Sequence, residues 1–516
     1  MRNGQNDRNR IISSFRNMFS SAVTQLVIGV IAFFERAVFL SKFSEAYLGL
    51  NSLFANVLNV FSLTELGLST AITFALYRPL AEEDKVRVAA YIGVYKKAYS
   101  IIGTVIIIVG LAFSPFVDLL VTSDEPIEYI SVYFAIYLLS VALTYYSSYK
   151  QVLLEADQKR YVQQYALGVG NSLKFVLQIL VLVLFGDNFF VYLLVFFCTN
   201  IGTCVVLAKI VDKRYPYIKE LRGSKLERDE RNKLIENVKA MCFHKFGAVA
   251  VKSSDSILIS AFVNVATLGL YGNYQMVTES LDGAMRIFCN SVMASIGNIA
   301  AVETDETIYS SFRSLNFTNY VLFSATSILL FNLVQPIISL WLGSQYILPT
   351  FTVFLISFSW FLTGLRRMLC NYHDAMGLFV VDKYRSVVEA LVNLVVSVAL
   401  GLSMGIDGII IGTITSNIIG ILIEGAAVYP TAFGKNAWLY YWECLSRSLF
   451  TIVMMWLIHY ACSVFNGLGP FLSLVTDMLS SVALIIIGFV LVYFRNADFK
   501  SMVSGMKNAI KVLHNN

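Results

Sequence analysis

Ser41-Lys42-Phe43-Ser44-Glu45-Ala46-Tyr47-Leu48-Gly49-Leu50 and Ser260-Ala261-Phe262-Val263-Asn264-Val265-Ala266-Thr267-Leu268-Gly269-Leu270 are near-copies of each other, with one insertion. Gly49 and Gly269 stand 220 positions apart, and other echoes keep the same offset to within a few residues. The acidic turn Glu82-Glu83-Asp84 returns as Glu303, Asp305 and Glu306. Glu155-Ala156 returns as Asp374-Ala375, and Arg160-Tyr161 as Lys383-Tyr384. Each copy of the motif sits in a short gap between two long apolar runs. Six runs separate the copies. An even number of crossings returns a chain to the same side of a bilayer, so this is a parallel repeat about an axis along the membrane normal.

Composition supports a lipid solvent. Of 516 residues, 57% are hydrophobic and only 14% are charged, against about 45–50% and about 25% in soluble domains. Mean hydropathy is +0.67. A spanning helix needs about 20 apolar residues. Fourteen spans are predicted, at about 17–40, 47–77, 88–113, 129–154, 161–185, 188–210, 241–263, 268–298, 312–340, 349–373, 384–404, 408–429, 444–465 and 470–494. The fold class is therefore an all-α polytopic membrane protein: two six-helix lobes plus two C-terminal helices. The expected organisation is an N-lobe at 1–210, an amphipathic linker at 211–240, a C-lobe at 241–430, and the last two spans with a tail at 431–516. Prolines mostly punctuate the runs, with Pro336 alone clearly inside one.

Lys and Arg fix the orientation. With the N-terminus inside, inner segments hold Arg78, Lys85, Arg87, Lys159, Arg160, Lys383, Arg385 and Lys435, and most of the basic residues of 211–240. Outer loops hold Lys42 and little else basic. The loop at 114–128 carries Asp118, Asp124, Glu125 and Glu128 without Lys or Arg. Both termini are expected to be cytoplasmic. The basic stretch with Arg2, Arg8, Arg10 and Arg16 reads as the flank of a spanning helix, with no small-residue cleavage site after it.

Seven scattered cysteines form no C-x-x-C pair, and four histidines give no ligand spacing. No metal and no cofactor are expected. No G-x-x-x-x-G-K-[ST] is present, so an ATP-driven exporter is not indicated. No loop is large enough to suggest a membrane glycosyltransferase, and nothing points to nucleic acid. An enzyme is not expected.

The informative residues are charges within the spans, each costing about 2.5–3.5 kcal/mol at a helix centre. Lys96, Lys97, Lys150, Lys245, Arg366 and Arg367 lie near inner ends and are expected to snorkel to headgroups. Glu35 and Arg36, Lys252 and Asp255, and Asp282 and Arg286 are expected to cancel locally. Arg36, Lys174, Lys252 and Arg286 lie deeper in their spans and are the candidates for lining a hydrated cavity. Glu65, Asp255 and Asp282 are candidates for charge pairing or ion coupling. In the cluster Tyr133, Tyr137, Tyr145, Tyr146 and Tyr149, Tyr145 and Tyr149 share a helix face and are candidates for sugar stacking, set against plain interhelical packing.

With Tyr47-Leu48-Gly49-Leu50 after span 1, Glu65-Leu66-Gly67-Leu68 in span 2 and Glu82-Glu83-Asp84 before span 3, the chain resembles the lipid-linked oligosaccharide flippases (Wzx type) of the MATE-like MOP superfamily. The resemblance covers essentially the whole chain. It implies alternating access in a bacterial cytoplasmic membrane, moving an undecaprenyl-pyrophosphate-linked repeat unit outward for polysaccharide export. It also implies partners in the polymerase and assembly machinery. Arg36, Lys174, Lys252 and Arg286 would then meet the pyrophosphate. A lipid II flippase and a multidrug/cation antiporter of the same superfamily are the alternatives.

Overall fold

The computed structural model describes residues 23–61, 68–221, 223–228, 230–232, 234, 253–378, 381–382, 384–463 and 469–514. Among them there is no strand. The helices are α1 (Val23–Leu40), α2 (Glu45–Phe61), α3 (Leu68–Ala81), α4 (Lys85–Phe113), α5 (Ile130–Ala142), α6 (Tyr145–Ser148), α7 (Gln151–Ala156), α8 (Arg160–Phe185), α9 (Phe189–Arg214) and α10 (Tyr217–Glu220). Then come α11 (Ser253–Val263), α12 (Val265–Val302), α13 (Asp305–Trp341), α14 (Thr350–Ala375), α15 (Arg385–Met404), α16 (Ile406–Phe433), α17 (Ala437–Ser463), α18 (Pro470–Tyr493) and α19 (Ala497–His514).

Eleven helices among the described residues are long and apolar enough to cross a membrane. The three expected spans missing from that set are the second, seventh and eighth. Span 2 is described only as α2 and α3, and span 7 only as α11. Span 8 is the continuous helix α12, whose Glu279, Asp282 and Arg286 reduce its apolar character. Proline is less strictly excluded from helices than its spacing suggested. Pro79 and Pro430 lie inside α3 and α16, each within the last turn or so, where the helix ends soon after the lost hydrogen bond.

These helices expose much apolar surface while burying a set of polar side chains among an apolar core. On α8 the buried residues are Gln178 and Leu182, whereas Leu173, Val176, Leu180, Val183 and Leu184 are exposed. On α13, Asn316, Asn319, Ser324, Ser327 and Asn332 are buried. A water-soluble protein would not show so large an apolar surface. A lipid-facing one does, because hydrocarbon solvates leucine and rejects amides.

The chain divides into two compact units, Met1–Gly269 and Leu270–Asn516. In the first, α8 packs on α9, α9 on α5, and α3 on α4 and α7. In the second, α13 packs on α14, α17 and α18, and α16 packs on α14 and α15.

Within the first unit the duplicated motif makes a reciprocal contact. A Cβ on Gly49 would lie 1.8 Å from the carbonyl oxygen of Val265, and one on Gly269 would lie 2.0 Å from that of Glu45. Val265 follows Glu45 by 220 positions, as Gly269 follows Gly49. Residue i of one copy therefore meets residue j of the other, and the reverse, as in a two-fold contact. The π-helical turn Ile259–Val263 precedes this crossing. Its freed carbonyl groups bind the 120–122 strap: the Thr122 amide donates to Ser260 O (3.0 Å) and the Thr122 hydroxyl to Ala261 O (2.9 Å). The Val265 amide donates back to Thr122 O (2.7 Å).

Gly49→Ala and Gly269→Ala are each expected to lower thermal stability in detergent by about 1–3 kcal/mol through overpacking. Gly29→Ala, which meets nothing within 4 Å, should be neutral or slightly stabilising.

Candidate functional site

Two buried charge constellations stand out, one in each unit, and they differ in kind. In the first unit, α1, α2, α5, α8 and α9 surround a cavity of about 240 Å³. Its polar lining includes Glu35, Arg36, Asn51, Lys174, Gln178 and Tyr192. Lys174 and Gln178 are i, i+4 on α8 and share its inward face. The structure thus brings together two of the predicted cations, Arg36 and Lys174.

Glu35 and Arg36 attract each other as neighbouring opposite charges, as expected, but make no direct ion-pair contact. Adjacent helical residues project about 100° apart and do not face each other. Glu35, 6% exposed, instead accepts a hydrogen bond from Tyr192 Oη at 2.7 Å. Arg36 Nη1 is buried without a hydrogen-bond partner among the described residues. Lys174 Nζ sits 4.2 Å from the ring centre of Phe175 and 5.6 Å from that of Phe196. These rings position the ammonium, and its nearest opposite charge is Glu35, which it shares with Arg36. Two cations and one carboxylate give the cavity an excess of positive charge.

In the second unit the charges are closed on one another. Arg366, expected to snorkel, is 8% exposed. Its Nη2 reaches Glu389 Oε1 at 2.6 Å and Glu424 Oε1 at 2.9 Å, and its Nε reaches Glu424 Oε2 at 3.1 Å. Arg385 also binds Glu424, and it pairs with Asp382 at 3.0 Å and Glu389 at 3.4 Å. Cys370 Sγ donates to Glu424 Oε1 at 3.0 Å. A Cβ on Gly420 would fall 2.1 Å from Arg366 Nη1, so a larger residue there would push the guanidinium from its present place. Snorkelling fails here because α15 and α16 bring carboxylates to Arg366. At the edge of the network His373 Nε2 meets Asp382 Oδ1 at 2.9 Å. Burial would raise the Asp382 carboxyl, but the His373 hydrogen bond and the Arg385 charge outweigh it and hold the group below its ordinary range.

The other predicted residues are dispersed. Arg286 pairs with Asp282 at 3.3 Å, as its i, i+4 spacing suggested, and Asp282 also takes Arg367 at 2.8 Å. Arg367 is therefore bridged and does not reach freely to headgroups. Asp255 is buried, whereas Glu65, Lys245 and Lys252 lie outside the described residues. Tyr145 and Tyr149 are buried and do not line the cavity. Tyr145 packs on Tyr99, and Tyr149 lies under Lys96 and Lys150, each 5.9 Å from its ring centre. Lys150 is itself held by Asp212 at 2.7 Å, which takes it out of the snorkelling set. Tyr137 and Tyr192 line the cavity instead. Sequence reading missed Gln178 as a cavity-lining residue and Glu389 and Glu424 as partners of Arg366, because nothing local marks which helix faces meet.

The chain is similar in fold to several solved membrane transporters. One solved structure, the lipid II flippase MurJ in an inward closed conformation, superposes with a TM-score of 0.64 at 14% identity, covering 94% of this chain and 99% of that one. An inward-facing multidrug resistance MATE family transporter of the MOP superfamily gives 0.61 at 13% identity, covering 78% and 97%. The Vibrio cholerae MATE transporter VcmN gives 0.55 at 14%, covering 85% and 98%. No protein-family model and no curated protein sequence matches the chain.

Arg366→Ala leaves two buried carboxylates short of a partner and is expected to destabilise the protein by about 3–5 kcal/mol. Arg36→Ala, which breaks no ion pair among the described residues, should change the midpoint much less. Thermal unfolding in detergent measures both. A depressed carboxylate stabilises above its unfolded pKa and loses that contribution as pH falls through the folded one. Asp382→Asn is therefore expected to lower the unfolding midpoint at pH 7 and to lose that effect as pH falls below the ordinary carboxylate range.

Proposed function

We propose that the chain is a flippase that carries an undecaprenyl-pyrophosphate-linked oligosaccharide from the inner to the outer leaflet by alternating access, supplying polysaccharide export. The observation that carries this reading is the first unit's cavity, where Arg36 and Lys174 face one carboxylate. A pyrophosphate diester brings about two negative charges that hydrocarbon rejects, and buried cations replace their hydration. Arg36 offers a planar fork and Lys174 a point charge. Lys252 and Arg286 complete the proposed cationic set, with Glu65, Asp255 and Asp282 as balancing or coupling carboxylates. The isoprenoid tail stays in lipid. The membrane is a bacterial cytoplasmic membrane with both termini inside, and polymerase or assembly proteins receive the product.

A lipid II-type cargo is the second reading. It is favoured by the near-complete mutual coverage with the MurJ fold, and it shares the pyrophosphate chemistry. A cationic-drug antiporter fits less well, because the cavity's excess charge has the wrong sign.

Fluorescence-quench flipping in proteoliposomes with a defined lipid-linked oligosaccharide tests the reading. Arg36→Ala and Lys174→Ala should each slow transport about tenfold or more, the loss of roughly one charge-assisted contact, with folded yield retained. Arg36→Lys should fall between. Unchanged rates in both alanine variants would remove the cationic-headgroup proposal. Single cysteines placed at 118 and 228 should label from outside and inside respectively.

A further inference from the structure

Gln178 is 2% exposed and lines the cavity, yet its Oε1 has no hydrogen-bond partner among the described residues. A leucine would fill this position on α8 without that deficit, and apolar residues make up most of the helix's exposed surface. A buried acceptor left unmade costs stability, so packing does not account for the amide. The second orphan in the same cavity has the opposite character: Arg36 Nη1 is a cationic donor with nothing to bind. An occupant that satisfies both must present an anionic oxygen to Arg36 and an O–H or N–H to Gln178. A bare pyrophosphate lacks the neutral donor, and a metal ion or organic cation leaves Arg36 unmet. A phosphate attached to a polyhydroxylated group supplies both.

Resting on the flippase reading above, we infer that Gln178 is a specificity residue. It accepts a hydrogen bond from a hydroxyl or amide of the first sugar on the pyrophosphate, while Arg36 and Lys174 hold the phosphates. Lys174 precedes Gln178 by one helical turn on the same face of α8, and that spacing places the charge reader and the sugar reader side by side. Tyr137 and Phe196, stacked with ring centres 4.7 Å apart, wall the cavity with aromatic surface. In a site built to hydrogen-bond a hydroxyl, a ligand lacking it leaves the amide unpaired, and this makes such a site discriminating. The same phosphate-plus-hydroxyl chemistry occurs in a glycerophospholipid headgroup, so the probes must separate the two sources.

The purified full-length protein in detergent is titrated by calorimetry with three ligands: citronellyl pyrophosphate bearing one N-acetylhexosamine, citronellyl pyrophosphate without sugar, and dihexanoyl phosphatidylglycerol. The wild type is expected to bind the sugar-bearing compound at least about tenfold more tightly than the other two. Gln178→Leu should bring the two pyrophosphates to within about twofold while keeping affinity for the sugar-free one, and its unliganded thermal midpoint should not fall. Gln178→Glu keeps the acceptors, so it should keep the preference for sugar while weakening both pyrophosphates. Preference for sugar that persists in Gln178→Leu, or no preference in the wild type, overturns the assignment to Gln178 and leaves Arg36-dependent pyrophosphate binding standing. Phosphatidylglycerol binding as tight as the sugar compound, and equally dependent on Gln178, overturns the sugar as occupant. A wild type that binds neither pyrophosphate removes the flippase reading and this one together.

Discussion

A charge inside hydrocarbon must find a partner, and the architecture follows from how each one does so. The cost of leaving an ionised side chain in lipid is a substantial fraction of a protein's net stability. The helices therefore turn their apolar residues outward and gather amides, carboxylates and guanidinium groups between them. The two units meet this constraint differently. Arg366, Arg385, Glu389 and Glu424 neutralise one another through direct hydrogen bonds. Arg36 and Lys174 are held without direct carboxylate contacts among the described residues, both lining one cavity, with Lys174 over aromatic rings.

That difference separates scaffold from site. A closed ion network has less to offer a ligand, because most of its charge is already balanced within the protein. A side chain at Gly420 would press on the Arg366 guanidinium where it reaches Glu424 from α14. An unfilled donor beside an unfilled acceptor is unstable in the empty protein and gains only when something enters. The proposed cargo joins an anionic linkage to a hydroxyl-rich head, and the cavity's pair of orphans matches that combination.

The repeat illustrates how local text becomes tertiary contact. Leu48-Gly49-Leu50 and Leu268-Gly269-Leu270 look like ordinary helix-start residues. Their glycines gain meaning only when the two backbones cross so closely that a methyl group on either would strike a carbonyl. The offset of 220 residues was visible beforehand; the reciprocity of the crossing was not. Similarly, i, i+4 spacing anticipated the bond between Asp282 and Arg286. The adjacent Glu35 and Arg36 do balance each other electrostatically, but Glu35 takes its hydrogen bond from Tyr192.

Composition, run length and the doubled motif determined by themselves that this is an all-helical membrane protein with charges it must hide, because hydrophobicity and periodicity are properties of the chain read in order. They also singled out Arg36, Lys174, Lys252 and Arg286 as charges within spans; of these, Arg36 and Lys174 share a cavity and Arg286 pairs with Asp282. Only tertiary structure decided that Arg366 is locked to Glu389 and Glu424, that Tyr145 and Tyr149 pack away from the cavity while Tyr137 and Tyr192 line it, and that Gln178 lacks a partner. Each of these depends on which faces of helices distant in sequence are brought together, and packing alone sets that.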